Sequence, residues 1–304
     1  MTWDSAIESY RTYLILEKSL STNSIEAYIA DIIKLSRYCI DTYDITSPAG
    51  VTYETLKQYL MFINETGITK RTQARTISSF RSFFKFLVYD GQLQNNPTRI
   101  LESPKISRKL PNILTTEEVE KLLNAVDLDK PEGQRNRAII EVLYSCGLRV
   151  SELTSLKMSN INFRKNFIKI EGKGSKERLI PLSDRAKDEI IRYTTLYRNL
   201  LNIAPEADDI LFLNRNGKAL SRVMVFNIIK QLAILAGINK NISPHTFRHS
   251  FATQLVTGGA DLRAVQDILG HESILTTEIY THLDNLFLKE TMEKYHPRAK
   301  KNKS

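Results

Sequence analysis

Cysteine is scarce in this sequence, and long apolar runs are absent from it. The 304 residues include 2 cysteines. Cys39 and Cys146 each lie in an apolar helical pattern, so we expect two buried free thiols and no disulfide. No apolar run reaches the length of a membrane span, and the opening MTWDSAIESY has neither the basic flank nor the apolar core of a signal peptide. We therefore predict a cytoplasmic protein that does not associate with membranes.

Acidic residues are missing from one stretch of a chain that is basic overall. The net charge is +9, which favours an anionic partner. Residues 1–68 carry more acids than bases, whereas residues 69–89 have no acid and several basic side chains: Lys70, Arg71, Arg75, Arg81 and Lys85. On a helix, the apolar residues of this stretch fall on one side and most of its basic residues on the other. We predict that the face with Lys70, Arg71, Arg75 and Lys85 binds DNA; an ordinary solvated face is the alternative.

Helical patterns joined by short polar turns fill the beginning of the chain. They predict four helices, over residues 5–18, 22–40, 52–64 and 69–90. We interpret residues 1–91 as a compact domain of four helices.

The next segment, residues 92–112, has the composition of an extended basic linker. Three prolines, Pro97, Pro104 and Pro111, surround a basic cluster that ends at Lys109. Such a strap would let two domains close around a duplex, although a plain tether explains the prolines equally well.

The remaining residues, 113–304, predict a second domain of mixed structure. A capping box of Thr115 and Glu118 predicts the start of its first helix. Short β-type runs between residues 161 and 182 predict a small antiparallel sheet, with Lys173 in a glycine-flanked turn, and helices follow to residue 295. The predicted fold is mainly α with this small sheet: a four-helix domain followed by an α+β domain.

A short polar series from His245 to Tyr280 predicts the active site. Its glycines and Asp261 suggest helices over residues 245–256 and 262–269, with a third near Thr276. Such a scaffold would hold polar side chains rigidly.

Three histidines of this series invite a zinc hypothesis, because His245 and His249 lie four apart on a helix and His271 follows. A helical zinc protease places a glutamate directly after the first histidine, but this chain has Thr246 there, and no carboxylate is placed as general base. We predict no metal and no other cofactor.

Two arginines suit a phosphodiester instead. Arg149, just after a helix-ending glycine, and Arg248 can grip a phosphate with paired hydrogen bonds, and His271 can donate to a developing oxyanion charge. This combination predicts phosphoryl transfer.

Tyr280 is the candidate nucleophile of such a pocket. A tyrosine hydroxyl, with an ordinary pKa of about 10, needs a nearby base or cations to lose its proton. His245 is a candidate base, and Lys173 is a candidate acid for the leaving alkoxide.

Five motifs together make the chain resemble the tyrosine site-specific recombinases, and among them the Xer type. They are GLRVSEL around Arg149, GKGSKER around Lys173, HTFRHSFAT with His245 and Arg248, LGHESILTTEIYTH with His271 and Tyr280, and the closing HPRA. The resemblance covers nearly the whole chain, and all six catalytic positions occur in the family's order. It implies that residues 1–91 are a helical DNA core-binding domain and that residues 113–304 are the catalytic domain with a C-terminal interaction helix.

The resemblance also implies the role of each catalytic position. It assigns Tyr280 as nucleophile, Lys173 as general acid, Glu152 as a supporting residue, and the following as phosphate-activating residues: Arg149, His245, Arg248 and His271. Tyr280 would form a 3′-phosphotyrosyl bond and release a 5′-hydroxyl, and a partner strand's 5′-hydroxyl would then attack in turn. Neither ATP nor a divalent metal would be needed.

The partners follow from the same resemblance. It implies double-stranded DNA with a two-armed recombination site, a tetramer with a paralogous recombinase or of the chain alone, and chromosome-dimer resolution under a septal DNA translocase. The helix after Tyr280 is predicted to dock on a neighbouring subunit; packing on its own domain is the alternative.

Other functions stay open at this point. One alternative is an integrase or invertase of a mobile element with the same chemistry. Others are a DNA-binding accessory protein with vestigial catalytic residues and a type IB topoisomerase. The length and the HPRA ending favour the Xer type.

Overall fold

The chain forms two compact units, Met1–Lys109 and Leu110–Ser304. The computed structural model describes residues 1–18, 20, 22–105, 112–171, 177–270 and 282–298, with side chains for all of these except 282–287. No helix among these residues is long and apolar enough to cross a membrane.

The first unit is built from four helices, as predicted. They are α1 (Trp3–Leu16), α2 (Thr22–Tyr43), α3 (Tyr53–Glu65) and α4 (Lys70–Tyr89). Threonine starts three of them: the hydroxyls of Thr2, Thr52 and Thr69 accept backbone N–H bonds at the N-termini of α1, α3 and α4. This satisfies amide groups that the first helical turn leaves unbonded.

Aromatic side chains dominate the core of the first unit. Trp3 stacks on Phe83 with 6.2 Å between ring centroids, and its indole nitrogen donates to the carbonyl of Ile45 at 3.0 Å. Tyr10 meets the same Phe83 edge-on. Large planar side chains bury much area in few residues, which suits a domain of this size.

The segment after α4 packs on the first unit as far as the structure describes it. Leu101, within the predicted linker of residues 92–112, is 4% exposed in this core. Arg81 of α4 donates to the Leu101 carbonyl and to the hydroxyl of Ser103. Residues 106–111 lie outside the described residues.

The second unit is mainly helical with one small sheet, so the predicted fold class is confirmed. Its described helices are α5 (Thr116–Asn124), α6 (Gly133–Cys146), α7 (Val150–Thr154), α8 (Asp184–Leu196), α9 (Arg222–Leu235), α10 (Pro244–Gly258), α11 (Leu262–Leu269) and α12 (His282–Tyr295). The capping box of Thr115 and Glu118 starts α5 as predicted. The predicted third helix near Thr276 lies outside the described residues.

Three antiparallel strands form the sheet in the order β1 (Ile161–Asn162), β2 (Phe167–Glu171) and β3 (Glu177–Pro181). Ile168 of β2 pairs with Ile180 of β3 and with Ile161 of β1, so branched apolar side chains line the inward face. This is the period-2 alternation expected of a half-buried sheet.

Helix α6 is the centre of the second unit. Every side chain from Ala138 to Cys146 is buried, and α6 packs against α5, α7, α8, α9 and α10. Both cysteines of the chain, Cys39 and Cys146, are buried free thiols, as predicted.

The described end of α12 packs on its own domain. Leu288 and Met292 are 4% and 2% exposed within the core of the second unit. Beyond the helix, Arg298 is buried against Glu141 of α6, with 2.7 Å between Nη2 and Oε2. Docking of this helix on a neighbouring subunit concerns an assembly, so it stays a prediction.

Candidate active site

A left-handed glycine puts Arg149 in place. Helix α6 ends at Gly147, which has a φ of +60°, a backbone conformation that glycine adopts at little cost. A Cβ at this position would lie 2.6 Å from the ring of Phe251 on α10. The chain can therefore turn tightly against α10 and present Arg149 immediately before α7.

Glu152 holds the Arg149 guanidinium. Its carboxylate accepts from Nη1 of Arg149 at 2.8 Å and from the backbone N–H of Arg149 at 2.8 Å. The second terminal nitrogen of Arg149 donates to the carbonyl of Gly270 at 3.0 Å. The Arg149 side chain is nevertheless 43% exposed, so it faces the solvent from a fixed position.

Arg248 projects from α10 into the interior of the same site. It is 8% exposed, and its terminal nitrogens donate to the carbonyl of Gly147 at 2.8 Å and to that of Leu269. Burial, with repulsion by Arg149 as a further cause, lowers the pKa of Arg248 to about 10. The group remains a cation at neutral pH, held against two carbonyls that carry no full negative charge.

A third arginine, Arg178 of β3, completes the site and was missed by sequence analysis. Its Nη2 donates to Oε2 of Glu152 at 2.8 Å, and the two side chains are 6% and 8% exposed. Burial alone would raise the pKa of Glu152, but the bonds and charges of Arg178 and Arg149 outweigh it and lower that pKa. Two guanidinium groups therefore bond one carboxylate, and a third, that of Arg248, bonds the nearby Gly147 and Leu269 carbonyls. This leaves an excess of positive charge suited to a phosphodiester.

The histidines of α10 differ in burial. His245 is exposed in the first helical turn, three residues before Arg248, and His249 is half-buried. Residues three apart share one face of a helix, so His245 lies on the same side of α10 as Arg248. The described residues hold no group of three or more His, Cys, Asp or Glu that would suit a metal ion. His271, the third member of the zinc hypothesis, lies outside them.

The structure thus brings Arg149 and Arg248 together, as the sequence predicts, with Glu152 between Arg149 and Arg178. Lys173, His271 and Tyr280 also lie outside the described residues, so their roles stay predictions.

The predicted DNA-binding residues of α4 are not equivalent. Lys70, Arg71 and Lys85 are exposed. Arg75 instead forms an ion pair with Asp31 of α2, which is 3% exposed and also accepts from the Ser79 hydroxyl at 2.7 Å. With 39% of its side chain exposed, Arg75 joins two helices while part of it reaches the surface.

Known families match both units of the chain. Residues 112–286 match the phage integrase family, and residues 7–91 match its N-terminal SAM-like domain. A tyrosine recombinase XerD of Listeria monocytogenes is 42% identical over 293 residues, which are 96% of this chain and 99% of the relative. Another XerD, from Staphylococcus saprophyticus, is 40% identical over 97% of this chain and 100% of the relative.

Solved structures agree with these matches. The XerH site-specific recombinase bound to palindromic difH substrate in a post-cleavage complex has a TM-score of 0.68 and 26% identity, over 88% of this chain and 79% of that one. A lambda integrase dimer bound to a core site, at 18% identity, shares the fold with a TM-score of 0.68, over 92% of this chain and 99% of that one.

The chain therefore belongs to the phage integrase family. It is a DNA-binding tyrosine recombinase of the XerD type, an enzyme of site-specific recombination that cleaves and rejoins DNA. The resemblance noted in the sequence is confirmed, and the relatives add the XerD type, which the sequence motifs left open.

Proposed function

We propose that this recombinase resolves chromosome dimers at cell division, by exchanging strands at a short two-armed site in double-stranded DNA. The observation that carries the chemistry is the pairing of Arg149 and Arg248 at one end of α11. Two guanidinium groups fixed side by side are suited to the two non-bridging oxygens of a phosphodiester.

The chemical step uses Tyr280 as nucleophile. Its Oη bonds to the scissile phosphorus while the bond to the 5′ oxygen breaks, which leaves a 3′-phosphotyrosyl link and a free 5′-hydroxyl. His245 and the arginine cations favour loss of the tyrosine proton, and Lys173 protonates the departing oxygen. His271 and the two arginines stabilise charge on the phosphate in the transition state.

The second half of the reaction reverses the first with a different strand. The 5′-hydroxyl of the partner duplex attacks phosphorus, and Tyr280 leaves with its proton restored. Because one phosphodiester-type bond is always exchanged for another, the cycle needs neither ATP nor a divalent metal.

We further propose how the chain is divided among these tasks. Residues 1–91 bind the core of the site through α4, residues 92–112 connect, and residues 113–304 catalyse and carry the interaction helix. The active assembly is a tetramer, formed either with a paralogous recombinase or by this chain alone. It acts in the cytoplasm, where a septal DNA translocase controls it. The 42% identity with a XerD recombinase over 96% of this chain supports the chromosomal role over that of a mobile element.

A suicide substrate, nicked next to the cleavage point so that the released fragment diffuses away, tests the proposal. The wild-type protein should give a protein–DNA adduct that survives boiling in detergent, also in excess chelator. Tyr280→Phe keeps the ring and removes only the hydroxyl, so it should bind DNA and form no adduct. An adduct formed by Tyr280→Phe would refute the assignment.

A further inference from the structure

Arg178 occupies a place that its sequence position alone does not explain. It is the second residue of β3 and points inward, with 6% of its surface exposed. Besides Glu152, it contacts the end of α11: its Nε donates to the carbonyl of Ile268 at 3.2 Å. Arg178 therefore links β3, on which it stands, to Glu152, which bonds Arg149, and to the end of α11.

Three arginines bond three successive carbonyls at the C-terminal end of α11. Arg178 takes Ile268, Arg248 takes Leu269, and Arg149 takes Gly270. The last carbonyls of a helix lack partners within it and carry the negative end of the helix dipole, so cations are favoured there. This end of α11 leads directly to residue 271.

Close packing between Gly270 and the Arg178 side chain fixes how the end of α11 lies against Arg178. Gly270 has a φ of +63°, and a Cβ there would lie 2.9 Å from Cδ of Arg178. The backbone of α11 therefore approaches the arginine stem as closely as it does because residue 270 has no side chain. Because Arg178 bonds the carbonyl of Ile268, we expect a shift of Arg178 to displace the next two carbonyls, which bond Arg248 and Arg149.

We propose that Arg178 is a positioning residue for the cleavage reaction. It does not reach the phosphate, but it orients Glu152 and the end of α11, and through them Arg149. This inference rests on the proposed function, in which Arg149 and Arg248 bind the scissile phosphate.

The geometry requires arginine rather than a simple positive charge. Nη2 and Nε donate in different directions to Glu152 and Ile268, and a planar guanidinium fixes both bonds at once. A lysine has one nitrogen at the end of a flexible stem and cannot hold both acceptors in the same way. Arg178→Lys therefore keeps the buried charge and loses the orientation.

The test compares single-turnover adduct formation on two suicide substrates. One carries the natural scissile phosphate; the other carries a methylphosphonate, in which a methyl group replaces one of the two non-bridging oxygens and removes the negative charge. For Arg178→Lys we expect a loss of about 100-fold on the phosphate, the scale of a misplaced catalytic group, with unchanged DNA affinity. On the neutral methylphosphonate we expect the loss to shrink to about 10-fold or less, because the displaced arginines have less charge to stabilise.

Arg198→Lys is the matched control. Arg198 is also 6% exposed, and it bonds the backbone carbonyls of Asp208 and Ile210. Its loss of a buried bond should lower the melting temperature without changing the ratio of the rates on the two substrates. An Arg178→Lys protein that loses the same factor on both substrates, or loses nothing, would overturn the positioning role.

Arg178→Met and its double variant with Glu152→Gln complete the design. If Arg178 acts through Glu152, the double variant should be no slower than the worse single variant, since both changes remove the same support. Multiplied effects would count against the proposal. Should Arg178→Met fail to fold, the Lys variant carries the test alone. Absence of any wild-type adduct would refute the proposed function instead, before Arg178 comes into question.

Discussion

At the scale of single residues, the site concentrates positive charge without neutralising it. Arg149 and Arg178 share one carboxylate, Glu152, and each also bonds a backbone carbonyl, while Arg248 bonds the carbonyls of Gly147 and Leu269. Burying a charge is costly unless it is paired or hydrogen-bonded. If each arginine were paired with its own carboxylate, the site would have little net positive charge left to bind a phosphate. Carbonyl partners satisfy the N–H groups and leave the charge available.

Sequence reasoning singled out Arg149 and Arg248 but assigned no role to Arg178, the last residue of the motif GKGSKER. Arg149 and Arg248 stand in segments whose glycines and polar neighbours mark them. Arg178 stands in ERLIP, where the alternation of β3 places it on the same inward face as Ile180. The sequence could have shown that an arginine occupies a strand position whose side chain is expected to be buried. It could not show the partners, because Glu152 and Ile268 are distant in sequence.

Gly147 gives a prediction at this scale. In Gly147→Ala the new Cβ would meet the Phe251 ring at 2.6 Å in a left-handed conformation, so we expect a loss of about 1–3 kcal/mol in the free energy of unfolding. Cleavage should also slow, because the Gly147 carbonyl bonds Arg248. Denaturant unfolding and suicide-substrate rates measure the two effects.

A matched glycine separates the two causes. Gly237 has a φ of +66° with nothing within 4 Å of an added Cβ, so Gly237→Ala should show the backbone cost alone and leave cleavage intact. Phe251→Leu in the Gly147→Ala background should recover part of the stability. Equal losses in the two alanine variants would mean that the ring contact is unimportant.

At the scale of elements, the sequence predicts where helices end more accurately than it predicts which segments pack together. The bounds of α11 follow from two residues: the Asp261 carboxylate accepts from Arg263 and Ala264, and Gly270 ends the helix. Both were evident in the sequence. The packing of residues 92–105 was not, because the burial of Leu101 depends on α4 being already folded beside it.

Two residues of the HPRA motif, His296 and Arg298, are buried just after α12. The His296 ring packs against Tyr144 and Phe251, with 5.3 and 5.2 Å between centroids. Arg298 meets Glu141, which is 1% exposed. From sequence this motif served only as a mark of resemblance, since the partners that bury it lie in α6 and α10.

His296 predicts a specific pH dependence of stability. Burial lowers its pKa from 6.5 to about 4, so between these values the unfolded chain binds the proton and the folded chain does not. Stability should therefore fall as pH drops through this window, by at most about 1.4 kcal/mol per pH unit from this group, and this contribution should level off below pH 4. Urea unfolding across the window measures it.

The comparison with His296→Gln isolates this histidine from the carboxylates. The variant loses some packing at every pH, but its stability should fall less steeply between pH 6.5 and 4 than that of the wild type. Parallel curves for the two proteins would show that His296 does not remain neutral in the folded state.

At the scale of the whole molecule, the net charge is +9, and we predict that only a few of the basic residues determine the affinity for DNA. Lys70 and Arg71 are exposed at the start of α4, where the acid-free composition predicts binding to DNA phosphates. Removing one cation that pairs with a phosphate should reduce the slope of log affinity against log salt by about 0.9. The double variant Lys70→Ala with Arg71→Ala should therefore bind more weakly and with a shallower slope.

Cations elsewhere on the same domain supply the control. Lys34 of α2 and Lys57 of α3 are also exposed, so their alanine variants remove the same net charge. If both pairs change the slope equally, only the overall charge matters and α4 has no special role. Arg75 is unsuitable for this test, since its removal would leave the buried carboxylate of Asp31 without its cation.

The last question at this scale is whether α12 leaves its own domain when subunits assemble. The end of the helix lies next to α10: a Cβ at Gly258 would be 2.9 Å from the carbonyl oxygen of Tyr295 and 3.3 Å from its Cβ. A small outward shift of α12 would relieve the first contact and bring the two Cβ atoms to the separation of about 3.5–4.5 Å found in a disulfide. Cysteines at both positions should therefore link within one chain when the protein without DNA is oxidised. If exchange of α12 between subunits is needed for cooperation, the oxidised protein should bind one DNA arm normally, fail to bind two arms cooperatively, and regain both cooperation and recombination on reduction. Oxidation after assembly on two arms should then give links between chains, visible as a covalent dimer. Normal recombination by the fully linked monomer would establish that α12 works from its own domain.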